Sequence, residues 1–477
     1  MSDTPHNVEG DLHALAVDPP EESAGPAPDA QSRRQVHDMW VAGTEEQAWI
    51  AEATDEGAQE LLPRDIDPAL AVQRGVVVSD DYEVAEQVVE DERQIINMGP
   101  QHPSTHGVLR LQLEIESETI RRVKPIIGYL HTGMEKTAET LTYTQGATNV
   151  TRMDYLSPFH NELCFSLAVE QLLGIEIPPR AQAIRVLMTE LNRVSSHLLW
   201  VATQGMDMGA VSMMLYGWRE RELVLQFFEA VTGLRMNHNY VRPGGVAADL
   251  PDGWEDQVES LLDVVPKGLG EYEELLSENP IFLDRAVGVG VILPEECRAY
   301  GVTGPIARAS GIDWDLRKAF PYSGIDQYDF DVPVEQNGDV YDRYLVRMEE
   351  TKQSLRIVRQ VLETMPAGDY RTVDRKVTPP PRKRIDESME ALIHHFKLFT
   401  EGFKVPEGRV YQAVESPRGE LGMYLVSSGG PRPWRLHART PSFAAVQALP
   451  VMMTDSLVAD IVATLASTDP VLGDVDR

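Results

Sequence analysis

Hydrophobic and polar positions alternate strictly over one short stretch: Leu109, Leu111, Leu113 and Ile115 are separated by Arg110, Gln112 and Glu114. That period of two belongs to a half-buried strand. The turn-like "ESET" follows and leads into a second strand-like run, "IRRVKPII", so a small hairpin module is predicted over residues 94–130. The period then changes. Ile184, Leu187, Leu191, Val194, Leu198 and Val201 recur at helical spacing behind "IPPR", a start signal, and predict a long buried helix. "NELCFSLAVEQLLG", Trp218 to Gly233, and Arg343 to Met365 with Leu345, Met348, Leu355, Val358, Leu362 and Met365 on one face predict further helices. Residues 131–400 thus read as a helical core. "GRVYQAVESPRGELGMYLVSSGG" and "RPWRLHART" read as strands joined by Pro/Gly turns, giving a C-terminal β-rich segment over 401–477. The predicted class is α+β, mainly α: a helix bundle with small N-terminal and C-terminal β modules.

Composition adds a boundary. With 477 residues, 42% hydrophobic and 25% charged, the chain has ample core-forming material. The net charge of −32 is unevenly placed, because residues 1–93 hold 23 acidic residues against 5 arginines and no lysine. That segment, which includes "PPEESAGPAPDAQS", cannot bury enough surface to offset its ordering entropy and is predicted to be a disordered acidic extension. An acidic arm docking on a basic partner is the alternative. The remainder is also acidic, which excludes phosphate-backbone binding as the main activity, so nucleic acid is not an expected partner. No apolar run approaches the roughly 18 residues of a membrane-spanning helix. No basic start leads into an apolar stretch and cleavage site, so the cytoplasm is the default compartment. Cys164 and Cys297, far apart, make neither a disulfide framework nor a thiolate metal site.

Candidate chemistry begins at "GPQHPSTHG", where two of the chain's twelve histidines, His102 and His106, share a loop that its prolines keep from being a helix. A metal pair at this spacing needs a helix, and Pro103 lies between the two, so no metal is expected.

"GPQHPSTHGVLRL", "IGYLHTGMEK", "TRMDYLSPFHNE", "MTELNRVSSHL", "YVRPGGV", "SMEALIHHFKLFTEG", "ESPRGELG" and "DPVLGDVDR" together resemble the D-type subunits, the 49-kDa family, of respiratory complex I, the proton-pumping NADH:quinone oxidoreductase. The resemblance covers about residues 94–477, and eight blocks in one order are very specific. That family is similar in turn to the large subunit of nickel-iron hydrogenases, so the resemblance implies a hydrogenase-large-subunit-like bundle whose tail returns to the cavity. In the four cysteine slots of the hydrogenases this chain has Asp154, Ser157, Val471 and Asp474. A nickel-iron centre needs soft thiolates and a valine offers no donor, so hydrogenase chemistry is lost.

The resemblance also implies roles. A quinone needs two electrons and two protons, so its site must offer hydrogen-bond donors that surrender protons. Tyr155 and His106 are the implied pair at the quinone head group, Asp207 is the carboxylate that pairs with His106 and favours its protonated form, and His102 lines the same cavity or satisfies backbone groups in its loop. Arg152 is implied near a partner subunit's iron-sulfur cluster. Many family members carry a histidine, associated with the pH dependence of the terminal cluster's potential, where this chain has Asn237. An amide does not titrate, which puts that coupling in doubt unless His238 substitutes, and makes menaquinone a plausible substrate.

The implied protein is a peripheral subunit on the cytoplasmic side of the cell membrane, with no redox cofactor of its own. Its implied partners are the small iron-sulfur (B-type) and C-type subunits and the membrane arm, with iron-sulfur clusters and FMN held by partner subunits. A non-catalytic scaffold paralogue in a related membrane-bound oxidoreductase or hydrogenase-type complex is the alternative, and a hydrogen-activating metalloenzyme is a more distant one.

Overall fold

The structure is a computed structural model that describes residues 93–477. The predicted acidic extension lies outside the described residues, except for Arg93, which opens the first strand. The fold is mainly helical with small antiparallel sheets.

Where the alternation predicted a hairpin, three strands form: β1 (Arg93–Met98), β2 (Arg110–Glu116) and β3 (Thr119–Ile126), antiparallel in that order. Leu113 is the centre of the register, opposite Ile96 on one side and Val123 on the other. β1 was illegible because the histidine loop separates it from its partner. Leu109, Leu111, Leu113 and Ile120 are fully buried against Ile461, Leu465, Leu472 and Val475 from the far end of the chain. Burial of this one face therefore carries the 99–107 loop to the C-terminal tail.

The main core is built around five helices: α1 (Pro158–Leu173), α2 (Pro179–Asp207), α3 (Ser212–Thr232), α4 (Trp254–Tyr272) and α5 (Val340–Thr364). Pro158 and Pro179 stand at first helical positions, where a missing N–H costs nothing. The apolar stripe of α2 is buried as predicted, but so is its opposite face, including Arg185, Glu190, Asn192, Arg193 and His197. Every charge there needs a partner. Arg185 pairs with Glu170 of α1; Arg193 reaches Glu350 of α5 at 3.4 Å; Arg317 bridges Glu190 at 3.1 Å and Asp315 at 2.7 Å; and Arg308 joins Glu350 at 3.1 Å to Glu415 at 2.7 Å. Such pairs roughly break even against apolar packing, yet each is costly to break, so the network fixes how α1, α2 and α5 sit. The helix α4, with Pro266 inside it, was not read from the sequence.

Beyond the main helices, an antiparallel sheet β4 (Gly408–Ser416), β5 (Gly419–Ser427) and β6 (Pro433–Arg439) matches the predicted strands. The rest of the segment predicted as β-rich is helical: Pro441–Gln447, Leu449–Met453, then α6 (Asp460–Ser467) and α7 (Leu472–Asp476). Continuous apolar runs such as "FAAV" and "IVATLA" carry no strand alternation, and two prolines open helices there. Among the described residues no helix is long and apolar enough to cross a membrane.

Two α1 carboxylates secure the 239–245 turn. Glu162 accepts the backbone N–H groups of Asn239 at 2.6 Å, Tyr240 at 2.8 Å and Val241 at 2.8 Å, and Glu170 accepts that of Gly244 at 2.8 Å. In Glu162→Gln one of the two accepting oxygens becomes an NH2 facing N–H donors. The substitution is expected to lower stability by about 1–3 kcal/mol, read as a lower urea midpoint with an unchanged m-value.

Candidate functional site

Three segments converge: the 99–107 loop, the 151–157 lead-in to α1, and the tail from Asp469. Each is held by its own local chemistry. In the first, the Thr105 hydroxyl donates to the carbonyls of Pro100 at 3.2 Å and His102 at 3.0 Å, and the Ser104 N–H donates to His102 Nδ1 at 3.2 Å. A side chain on Gly99, whose φ is +83°, would run into the Leu109 carbonyl. With Nδ1 accepting, the neutral His102 ring carries its proton on Nε2. His102 therefore does satisfy its own loop, and it also lines, with Gln101, Pro103, His106 and Gly107, a cavity of about 560 Å³.

Asp207, the last residue of α2, lies within electrostatic reach of both histidines. Burial raises its pKa, while His106 and then His102 pull it down. The resemblance implies that Asp207 pairs with His106 and favours its protonated form; Asp207 does act in that direction, but burial outweighs it. The protein packed around His106 lowers its pKa more than Asp469 and Asp207 raise it, with Arg418 adding to the lowering, so the imidazole is neutral near pH 7 although part of the residue faces solvent.

In the 151–157 segment, Asp154 is buried. Its Oδ1 accepts the N–H groups of Leu156 and Ser157, both at 3.2 Å; its Oδ2 accepts the Ser157 hydroxyl and the Arg418 guanidinium, the latter at 2.9 Å. Asn192 of α2 holds the neighbouring Leu156 carbonyl at 3.0 Å. Arg418, from the turn between β4 and β5, also donates Nε to the Asp469 carbonyl at 3.1 Å and pairs with the Asp469 carboxylate at 3.1 Å. Burial works against its charge, but Asp154 and Asp469 more than offset this. Half-buried Tyr155 faces the same group: burial, then the charge of Asp154, raises its phenol above the ordinary value, with Asp469 and Asp474 adding and Arg418 opposing. A Cβ on Gly473 would come within 3.2 Å of the Tyr155 ring and 2.6 Å of the Met153 carbonyl, so the tail's glycine leaves room for the phenol.

His106 and Tyr155 thus share Asp469 and Arg418 as electrostatic neighbours, and Asp207 joins on the histidine side. Three of the four slots that hold cysteine in hydrogenases, Asp154, Ser157 and Asp474, come together, and Val471 is buried beside them. Arg152 is left apart. It is exposed, its guanidinium donates to the Thr148 carbonyl, and it forms no ion pair among the described residues. Asn237 takes a left-handed φ of +54° with its buried Oδ1 unpartnered. His238 is no substitute for a titrating group there: it stacks on Phe159 with centroids 4.1 Å apart, and burial pushes its pKa down to about 4.

Residues 207–477 match the family described as "Respiratory-chain NADH dehydrogenase, 49 Kd subunit". The chain belongs to this family. It is 54% identical over 407 residues to a D-type subunit of NADH-quinone oxidoreductase from Salinispora tropica, spanning 82% of this chain and 92% of that one. It is 53% identical over 428 residues to the D-type subunit of the same enzyme from Mycobacteroides abscessus, spanning 86% and 99%. A third relative, a D-type subunit from Chloroflexus aurantiacus, is 54% identical over 389 residues, spanning 81% and 95%.

Arg418 and Asp469 were not singled out from the sequence, although both lie in motifs that were noticed, "ESPRGELG" and "DPVLGDVDR". A lone arginine in a turn carries no signal of which carboxylates it will meet. Its removal leaves them buried without a cation, so Arg418→Met is expected to cost about 3–5 kcal/mol, read from urea titrations of the two proteins.

Proposed function

We propose that this chain forms the quinone site of a proton-pumping NADH-quinone oxidoreductase, with the head group between Tyr155 and His106. The observation that carries the reading is the convergence of a phenol and a neutral imidazole on one buried acid–arginine group, with the imidazole also lining an open cavity. Electrons come from NADH through redox groups in partner subunits, and this chain supplies hydrogen-bond donors. Each quinone oxygen gains charge as electrons arrive, and a donor already oriented toward it needs no solvent reorganisation. Tyr155 offers Oη–H. His106, being neutral, offers one ring N–H and accepts at the other nitrogen.

Relay of a proton through the His106 ring to the quinone transiently changes the charge facing Asp207, the last residue of the long helix α2. That local event is the means by which reduction biases a region leading toward the membrane arm. In this reading the chain sits peripherally at the cytoplasmic face of the cell membrane through its partners, among them the small iron-sulfur and C-type subunits, with Arg152 toward the cluster. The exposure of Arg152 and its lack of an intramolecular ion pair among the described residues support that placement.

In the intact complex, Tyr155→Phe is expected to lower NADH-driven quinone reduction by about 100-fold. NADH oxidation by an artificial acceptor upstream of the quinone should stay at the wild-type level. Unchanged quinone reduction would favour a scaffold instead. A second expectation follows from Asn237 and the neutral His238: the terminal cluster's midpoint potential stays flat between about pH 6 and 8, and Asn237→His introduces a slope. A redox titration across that range checks this, and a flat profile fits a low-potential substrate such as menaquinone.

A further inference from the structure

We propose that Asp474 stores the proton that replaces the one Tyr155 gives to the quinone; this deepens the reading above and rests on it. The charges around the phenol do not balance. Asp154, Asp469 and Asp474 are all buried, and Arg418 is the guanidinium that pairs with the first two. Asp154 is satisfied by Arg418, the Ser157 hydroxyl and two backbone N–H groups. Asp469 has the Arg418 charge at 3.1 Å, although its Oδ2 accepts no hydrogen bond among the described residues. Asp474 has far less: its Oδ2 accepts the Ser442 N–H at 3.2 Å, and its fully buried Oδ1 has no hydrogen-bond partner among the described residues. An ionised carboxylate so placed is unstable, and a proton is the simplest remedy.

The groups facing Asp474 can be named element by element. Asp154 comes from the lead-in to α1, Arg418 from the β4–β5 turn and Ser442 from the Pro441–Gln447 helix. On its own helix, Asp476 is engaged with the N–H groups of Gly128 at 2.8 Å and Leu130 at 2.7 Å, and Arg477 with the Ala438 carbonyl at 2.6 Å. Burial, then the charge of Asp154, pushes the Asp474 carboxyl up to about 7, where it holds a proton and can release one. Asp474 also raises the Tyr155 phenol, and its neighbour Gly473 lies under that ring. Transfer from this carboxyl to a tyrosinate is downhill, because the acid is the stronger of the two.

The step balances. Two electrons from NADH reach the quinone through partner subunits; the Tyr155 O–H bond breaks as an O–H bond forms on one quinone oxygen, and the exposed, neutral His106 ring relays the second proton, releasing its N–H proton to the other oxygen as its second nitrogen takes one from solvent. The Tyr155 oxygen then takes the Asp474 proton, and the carboxylate left behind regains one from solvent before the next turnover.

The test uses the intact complex with Asp474→Asn and Asp474→Glu, assayed for quinone reduction against pH, with assembly and upstream NADH oxidation as controls. The wild-type rate should fall as pH rises through about 7 and the store empties. Asp474→Asn should lower kcat about tenfold or more with little change in KM, lose that limb, and lose a protonated-carboxyl band from the infrared spectrum; Asp474→Glu should restore rate and limb. A wild-type kcat and pH limb in Asp474→Asn, or a wild-type spectrum without the band, overturns the proposal. If Asp474→Asn is silent while Tyr155→Phe abolishes activity, only the proton store fails. If Tyr155→Phe is itself silent, the quinone-site reading fails and takes the store with it.

Discussion

One buried guanidinium holds this site together. Arg418 ties Asp154, at the entry to α1, to Asp469, at the start of the tail, and so joins parts of the chain that are far apart in sequence. It reaches them because its turn is pressed close: Gly419 lies against Gly304, and a side chain on either would strike the other's backbone. The second core, under β2 and β3, brings the histidine loop to the same tail. These two constraints, one ionic and one hydrophobic, put an imidazole and a phenol around a common group of charges.

The hydrogenase comparison gains physical content from this geometry. Where the resemblance to hydrogenases implies thiolates, this chain has Asp154, Ser157 and Asp474, which are hard hydrogen-bonding groups and not soft metal donors, and Val471, which offers no donor. The vacated charge is taken by Arg418, which satisfies part of the new acid group and leaves part unsatisfied. The larger network around Glu350, Arg308 and Arg317 is more fully paired, which suits a role in fixing helix positions.

Much of the architecture was legible. The alternation at Leu109 to Ile115 marked β2, and the heptad-like stripe from Ile184 to Val201 marked α2, because one buried face imposes a period on the sequence. What could not be read was burial of the other face of α2, where Glu190, Arg193 and His197 look like a solvated surface until their partners on α5 are known. The tail misled for a related reason: after Pro441 it is apolar in continuous runs, which carry no period. At the site, motifs supplied His102, His106, Tyr155 and Asp207 as candidates, but the sign of the His106 shift depends on protein packed around it from elsewhere in the chain. Asn237 and His238 illustrate the limit further. A histidine beside the amide is visible in sequence, while its burial against Phe159, which keeps it neutral, is not.

The central claim is that Tyr155 and His106 face one quinone head group. An experimental structure of the intact complex with a short-tailed quinone bound tests it most directly. The account predicts one ring oxygen within hydrogen-bonding distance of Tyr155 Oη and the other near the His106 ring, about 2.6–3.2 Å in each case. A head group seated away from both side chains, or a phenol and imidazole pointing in opposite directions, would contradict it.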